Sequence, residues 1–172
     1  MKRTFATIEL EDSRKIRLEL FPEYAPISCE NFIKLANEGF YQGMIFHRVI
    51  PDFMVQGGGL TPDLQGKAGA KTIKGEFRSN GIQNPVKHTI GTLSMARTNV
   101  PDSASSQFFI CVRDCRFLDG EYSAFGRTVD DESLKVAIDI SKVPTHTVGW
   151  YENVPIRDIV IKRVYIQTFD EE

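Results

Sequence analysis

The 172-residue sequence is short of the features that mark several large classes of protein. Its three cysteines are odd in number, which suits reduced thiols better than a disulfide framework. No stretch approaches the roughly 20 consecutive apolar residues of a membrane span. A formal net charge of -2, with scattered Lys and Arg, gives no attraction to nucleic acid or to anionic membranes. We therefore expect a cytoplasmic protein that binds neither nucleic acid nor membrane.

The sequence also contains no complete phosphate-binding or metal-binding motif. The stretch GKAGAKT (66–72) resembles a phosphate-binding loop, but Ala70 stands where that motif needs glycine, and no apolar strand precedes it. Cys111 and Cys115 lack the spacing of zinc ligands and are better interpreted as one core cysteine and one loop cysteine. We expect no metal and no cofactor.

No nucleophile stands out either. His47, His88 and His146 are isolated in the sequence and are predicted to be surface or hydrogen-bonded residues. The serines of PDSASSQ (101–107) lack the glycines of a nucleophile elbow and are typical of turns.

The chain is predicted to be one domain, residues 1–172, because it contains no repeat, linker or shift in composition. Alternation of apolar and polar residues with period two predicts a mainly β fold. The predicted strands are 4–10, 15–20, 45–50, 92–96, 106–112 and 155–167. Two helices are predicted. One opens at Pro26, has Phe32, Leu35 and Ala36 on one face and closes at Gly39; the other starts at Asp131, with Leu134, Ala137 and Ile138 on one face. Since two helices cannot cover many sheets, we expect them to cap a closed structure.

A Gly-rich polar segment, residues 57–89, marks a long excursion between strands. Loops of this length are usually functional or mobile. The sequence does not define its conformation, nor the role of the acidic ending Asp170, Glu171 and Glu172.

Polar side chains interrupt the apolar strands in an unusual way. In FHRVIPDFMVQGG (46–58) Met54 and Gln56 share one strand face, and in SQFFI (106–110) Gln107 and Phe109 share another. Two interpretations remain open on pattern alone. Either Met54 and Phe109 are core residues with Arg48 on the surface, or these side chains together form a site.

Four separated blocks resemble the signature blocks of cyclophilins, in the same order and spacing. They are FHRVIPDFMVQGG (46–58), GTLSMART (91–98), SSQFFI (105–110) and FLDGEYSAFGR (117–127). The resemblance extends over roughly residues 4 to 168 and is strongest to the single-domain bacterial branch. It implies a closed eight-stranded antiparallel β-barrel capped by two α-helices, with peptidyl-prolyl cis-trans isomerase activity on proline-containing peptides and unfolded proteins. It also implies a role in protein folding, and we expect a monomer.

The resemblance also implies the site, position by position. Arg48 and Gln56 take the catalytic positions, and the substrate-binding positions are Phe53, Met54, Ala96, Arg97, Gln107, Phe109, Phe117, Leu118 and Tyr122. An arginine suits catalysis here because its guanidinium stays protonated and offers donors in a rigid fork.

Three positions depart from the eukaryotic pattern of the family. Arg97 replaces an asparagine and adds positive charge near the groove, and Tyr122 replaces a histidine. Phe117 replaces a tryptophan, so we expect cyclosporin binding to be weakened by the loss of an indole N–H donor.

The alternative function is a proline-peptide-binding adaptor or chaperone module with little catalysis. Retention of Arg48, Gln56, Phe53 and Phe109 weighs against it.

Overall fold

Strands dominate the computed structural model, which describes residues 2–170; Glu171 and Glu172 of the acidic ending lie outside them. Within the described residues, ten strands and two α-helices follow one another. Their bounds are β1 Lys2–Leu10, β2 Lys15–Leu20, α1 Pro26–Asn37, β3 Arg48–Ile50, β4 Met54–Gly57, β5 Thr92–Met95, β6 Phe108–Cys111, β7 Ala124–Thr128, α2 Asp131–Ser141, β8 Thr145–Val148, β9 Tyr151–Pro155 and β10 Ile161–Asp170. The mainly β fold with two helices is confirmed.

Eight of the strands form one curled sheet in the order β10-β1-β2-β7-β5-β6-β4-β3, with antiparallel neighbours throughout. β8 and β9 form a separate hairpin. The main core is the apolar face of the large sheet. Its members include Phe46, Phe108 and Phe125, all fully buried.

The two ends of the sheet, β10 and β3, are connected by sparse pairing just before each strand. Ile45 forms an isolated bridge with Val160. The Phe46 N–H donates to the Ile159 carbonyl at 3.1 Å, and the Ile161 N–H to the Met44 carbonyl at 2.7 Å. The strand number and the antiparallel arrangement match the prediction, and the ladder itself runs from β10 to β3.

Helix α1 begins at Pro26, as predicted, because a proline at the first helical position needs no N–H partner. It buries Phe32, Leu35 and Ala36, which are the predicted face. The predicted face of α2 is wrong in part. Ala137 is buried, but Leu134 and Ile138 are only half-buried, and the buried face is completed by Ser133, Ile140 and Ser141.

One strand prediction needs correction, and three strands were missed. The segment 155–167 is not one strand, because the chain bends between the end of β9 at Pro155 and the start of β10 at Ile161. β7 and the β8–β9 hairpin were not predicted. β8 is mostly exposed, so it carries no apolar alternation that would reveal it.

The long excursion leaves β4 at a glycine that the packing requires. Gly58 has φ +81°, and a Cβ there would lie 2.7 Å from Phe108 and 2.8 Å from Tyr41. Up to β5 the segment contains one short 3₁₀ turn, Arg78–Asn80, and it buries Phe77. Among residues 2–170, neither helix has the length and apolar character needed to cross a membrane.

Candidate functional site

Strand alternation divides the aromatic residues of β6 between two faces. Phe108 and Ile110 point into the main core, whereas Phe109 and Cys111 belong to a second buried cluster with Met54, Cys115 and Leu118. In the ladder, Gln56 lies opposite both Phe109 on β6 and Arg48 on β3. The predicted site residues of three strands therefore share the outer face of the sheet.

A cavity of about 150 Å³ opens on this face. It is lined by Arg48, Phe53, Met54, Gln56, Ala96, Arg97, Phe109, Leu118 and Tyr122. These are nine of the eleven residues expected from the sequence. Met54, Phe109 and Leu118 give it a buried apolar wall, and Arg48 is exposed at its edge.

Gln56 holds the guanidinium of Arg48 and is itself held by Gln107. Arg48 Nη1 donates to Gln56 Oε1 at 3.2 Å, and Gln56 Nε2 donates to Gln107 Oε1 at 2.8 Å. Gln56 is the only hydrogen-bond partner of the Arg48 side chain within residues 2–170. The remaining guanidinium donors of Arg48 are therefore free to bind a ligand.

Arg97 joins three segments rather than adding a free charge to the groove. Its guanidinium carbon lies 4.7 Å from the ring centroid of Phe77 and 4.8 Å from that of Tyr122. Its Nε and Nη2 donate to the Glu121 carbonyl at 3.0 and 2.7 Å. Cation–π contact and hydrogen bonds together fix the side chain against the groove wall.

A neighbouring cavity of about 170 Å³ shares part of this wall. It is lined by Gln56, Ala96, Arg97, Thr98, Ser103, Ser105 and Gln107. The two cavities form one groove, with apolar surface at the Phe109 end and polar surface at the Ser103 end. As expected of turn residues, Ser103 hydrogen-bonds Thr98 and Val100.

Phe117 is the one predicted site residue that lines neither cavity. It is 73% exposed, and its ring centroid lies 5.8 Å from that of Phe53. Phe117 thus extends the rim of the groove beyond Phe53.

Three groups near the groove were missed by the sequence reasoning. Phe77 comes from the long excursion, whose conformation has no sequence signal. His88 is fully buried beside Phe109, bonded to Asp119 and Ser94. His47 is also buried, and its Nδ1 has no hydrogen-bond partner among residues 2–170, so the surface or hydrogen-bonded prediction is wrong for it.

Cysteine placement disfavours thiol chemistry. Cys29, Cys111 and Cys115 are all free and buried. Burial raises the pKa of both Cys111 and Cys115, so neither thiol forms a nucleophilic thiolate at neutral pH. Residues 2–170 contain no group of three His, Cys, Asp or Glu side chains placed to hold a metal ion.

A larger cavity, of about 640 Å³, lies elsewhere. It is bordered by the β1–β2 turn, Val143, Pro144 and the segment 156–160, with charges of both signs at its mouth. It contains none of the predicted site residues. The 150 Å³ cavity is the better candidate because it combines a buried apolar wall with a cationic hydrogen-bond donor at its edge.

Comparison with known families gives one match over nearly the whole chain. The family model described as cyclophilin type peptidyl-prolyl cis-trans isomerase/CLD matches residues 5–166.

Individual relatives agree with this match. Peptidyl-prolyl cis-trans isomerase A of Dickeya dadantii is 49% identical over 156 residues, covering 88% of this chain and 78% of the relative. A peptidyl-prolyl cis-trans isomerase of Acinetobacter baylyi is 46% identical over 160 residues, covering 90% and 81%. A Cryptosporidium parvum cyclophilin type peptidyl-prolyl cis-trans isomerase, crystallised in the presence of the dipeptide Ala-Pro, is 30% identical with a TM-score of 0.78, covering 95% of this chain and 98% of that chain.

Proposed function

The chain belongs to the cyclophilin-type family of peptidyl-prolyl cis-trans isomerases, and from this premise we propose that the groove beside Arg48 binds and isomerises X-Pro segments. Its activity is the rotation of peptidyl-prolyl bonds. The observation that carries the assignment of the site is the 150 Å³ cavity, which unites an apolar wall with Arg48 and Gln56.

The chemistry requires no covalent step. An amide resists rotation because the nitrogen lone pair is delocalised into the carbonyl, with a barrier of about 18–20 kcal/mol. At the twisted transition state the lone pair returns to nitrogen, which becomes a better hydrogen-bond acceptor. A donor aimed at that nitrogen stabilises the transition state more than the ground state, and therefore accelerates the reaction.

Arg48 is the proposed donor. Gln56, oriented by Gln107, holds one N–H of the guanidinium, which leaves the other N–H groups for the prolyl nitrogen. A charge-assisted hydrogen bond contributes roughly 1.5–3 kcal/mol, or about one to two decades of rate if it forms only in the transition state. Arg48 therefore supplies part of the acceleration and not all of it.

The apolar wall supplies the remainder by orientation. Phe53, Met54, Phe109 and Leu118 hold the proline ring while the preceding carbonyl rotates, with Tyr122 closing one side.

The residues before the proline lie along Ala96 and Arg97. The backbone N–H and carbonyl of Arg97 have no hydrogen-bond partner among residues 2–170 and can pair with an extended peptide. Gln107 and the 170 Å³ cavity then receive the side chains on this part of the substrate.

The wider setting of the proposal follows from the same features. We infer a single domain and a monomer acting on unfolded chains in the cytoplasm, where the three free cysteines would stay reduced. We also infer that the hydrogen bonds of Phe46 and Ile161 close the curled sheet into a barrel. Exposed Phe117 leaves cyclosporin a weak ligand.

Titration with a short Ala-Pro peptide, followed by NMR, tests the site. The amides of Ala96 and Arg97 and the side-chain signals of Arg48 and Phe109 should shift, while cis and trans peptide signals exchange faster at catalytic enzyme concentration. Shifts at the groove without accelerated exchange would establish the adaptor alternative. Accelerated exchange with shifts confined to the 640 Å³ cavity would refute the site.

A further inference from the structure

Behind the groove, three polar side chains form a chain of hydrogen bonds. His88 Nδ1 lies 3.0 Å from Asp119 Oδ1, and His88 Nε2 lies 2.9 Å from Ser94 Oγ. His88 and Ser94 are fully buried. The three residues come from the end of the excursion, from β5 and from the segment between β6 and β7.

The order serine, histidine, carboxylate is that of a hydrolase triad, but this chain cannot act as one. Ser94 has no exposed surface, so no substrate carbonyl reaches its hydroxyl.

The His88 ring contacts the walls of the proline cavity directly. It stacks on Phe109, with centroids 6.1 Å apart and planes 16° from parallel. It also makes a T-shaped contact with the Tyr122 ring, with centroids 6.4 Å apart. Leu118, a third wall residue, directly precedes Asp119 in the chain.

Asp119 binds His88 at two points and has one further partner. Its Oδ1 also accepts the His88 backbone N–H at 2.6 Å, and its Oδ2 accepts Arg116 Nε at 2.7 Å. Burial alone would raise the pKa of Asp119, but the hydrogen bonds from His88 and Arg116 lower it, so the carboxylate stays charged. Burial lowers the pKa of His88, although the hydrogen bond and the charge of Asp119 act in the opposite direction. The imidazole is therefore neutral, with one donor and one acceptor nitrogen.

We propose that His88 and Asp119 are a positioning pair for isomerisation: the pair fixes Phe109 relative to Leu118 and Tyr122, and so sets the geometry of the proline cavity from behind. This inference rests on the proposed function of the groove. Neither residue touches the substrate. If the pair is broken, the proline ring tilts, and the prolyl nitrogen moves out of line with Arg48.

The test compares Asp119→Ala with Asp119→Asn. Alanine removes both contacts to His88, whereas the asparagine oxygen can still accept the backbone N–H and the Nδ1 proton. At matched folded concentration we expect Asp119→Ala to lower kcat/KM about tenfold, with kcat and KM both changed, and Asp119→Asn to recover most of the loss.

Arg116→Ala is the matched control, because it removes the other partner of the same carboxylate from an exposed side chain. Its kcat/KM should stay within about twofold of wild type, since surface ion pairs contribute little. A loss in Arg116→Ala equal to that in Asp119→Ala would assign the effect to the segment's stability and overturn the pair.

NMR spectroscopy of the wild-type protein and of Asp119→Asn tests the proposal even if Asp119→Ala folds poorly. Imidazole nitrogen signals of wild-type His88 should show protonated Nδ1 and unprotonated Nε2 at neutral pH, and the Phe109 ring should show contacts to His88. In Asp119→Asn these signals should persist. The opposite tautomer, or wild-type kinetics in folded Asp119→Ala, would overturn the proposal. If Arg48→Ala loses activity while Asp119→Ala keeps wild-type activity, the positioning pair is refuted and the proposed function of the groove stands. If the wild-type protein does not accelerate isomerisation, both the positioning pair and the proposed function are refuted.

Discussion

Arg48 is exposed at the edge of an apolar cavity, and the environment of its guanidinium explains its selection over lysine. Gln56 accepts a hydrogen bond from one side of the group, and Gln107 in turn accepts one from Gln56. A lysine ammonium offers rotating donors on a flexible stem and would not keep one donor aimed at a prolyl nitrogen.

Phe117 is the residue at which we expect a substitution to change the affinity for cyclosporin. Its exposed ring rests near Phe53 but offers no N–H to a ligand. We expect Phe117→Trp to tighten cyclosporin binding about threefold to tenfold by adding an interface donor and apolar area. Isothermal titration calorimetry of both proteins measures the change, and Phe169→Trp, an exposed aromatic on β10, is the control. Equal affinity for wild type and Phe117→Trp would remove this explanation.

We expect His47 to make the free energy of unfolding depend on pH. Burial, with a smaller contribution from the Arg48 charge, lowers the pKa of His47 from 6.5 to about 4. The unfolded chain therefore binds a proton on His47 below about pH 6.5, while the folded chain does not until near pH 4. Stability conferred by neutral His47 is thus fully present above pH 6.5 and is progressively lost as pH falls toward 4.

Between pH 7 and 5 we expect the free energy of unfolding to fall by about 2 kcal/mol from His47 alone. The pKa of His88 is also lowered by burial, so it adds to the fall in the same direction. Urea unfolding of wild type and His47→Phe at both pH values measures the effect. An equal fall in both proteins would contradict the assignment to His47.

At the scale of elements, the long excursion caps helix α1. Ala25 occupies the N-cap, and its methyl side chain has no oxygen that could accept a hydrogen bond from the first N–H groups of the helix. Glu76 replaces it: this buried carboxylate accepts Ile27 N at 3.1 Å, Ser28 N at 2.6 Å and Ser28 Oγ at 2.7 Å. A negative charge at this end also suits the helix dipole.

We expect Glu76→Ala to lower the free energy of unfolding by about 2–3 kcal/mol, because it leaves buried donors without partners. Glu38→Ala, an exposed glutamate at the other end of α1, is the control and should change stability by less than about 0.5 kcal/mol. Thermal and chemical unfolding provide the comparison. Similar stabilities of the two variants would show that Glu76 does not cap the helix.

Sequence pattern predicted those elements whose two faces differ. Alternation correctly separated Phe108 from Phe109, and the helix pattern of α1 gave its buried face. Contacts across long chain separations had no such signal. His88 and Asp119 are 31 residues apart, and Glu76 lies 48 residues from Ser28. Neither pair can be inferred without the fold that brings it together.

At the scale of the whole molecule, the sheet separates two functions. Its inner face holds the main core and its outer face the groove, so the same strands provide both the core and the proposed site. Nine of the residues that the family resemblance implied line one cavity, a grouping that composition and period did not predict. Pattern alone left Met54 and Phe109 as either core or site, and they are in fact buried residues that also line the cavity.

Closure of the sheet is the prediction at this scale. If Phe46 and Ile161 close the barrel, their amides should exchange with solvent as slowly as that of Met95, which donates to Ser123 at 3.1 Å inside the sheet. Native-state hydrogen exchange measures all three. Exchange of Phe46 and Ile161 orders of magnitude faster than Met95 would indicate an open sheet.

We propose that the fold aims one donor of Arg48 at a prolyl nitrogen, and cis-to-trans relaxation of an X-Pro peptide measures the effect of that donor. We expect Arg48→Ala to lower kcat/KM at least about tenfold, mainly through kcat, and Arg48→Lys to recover only part of the loss. Arg127→Ala, an exposed arginine on β7, is the control and should match wild type. Wild-type relaxation in a folded Arg48→Ala protein would contradict the account.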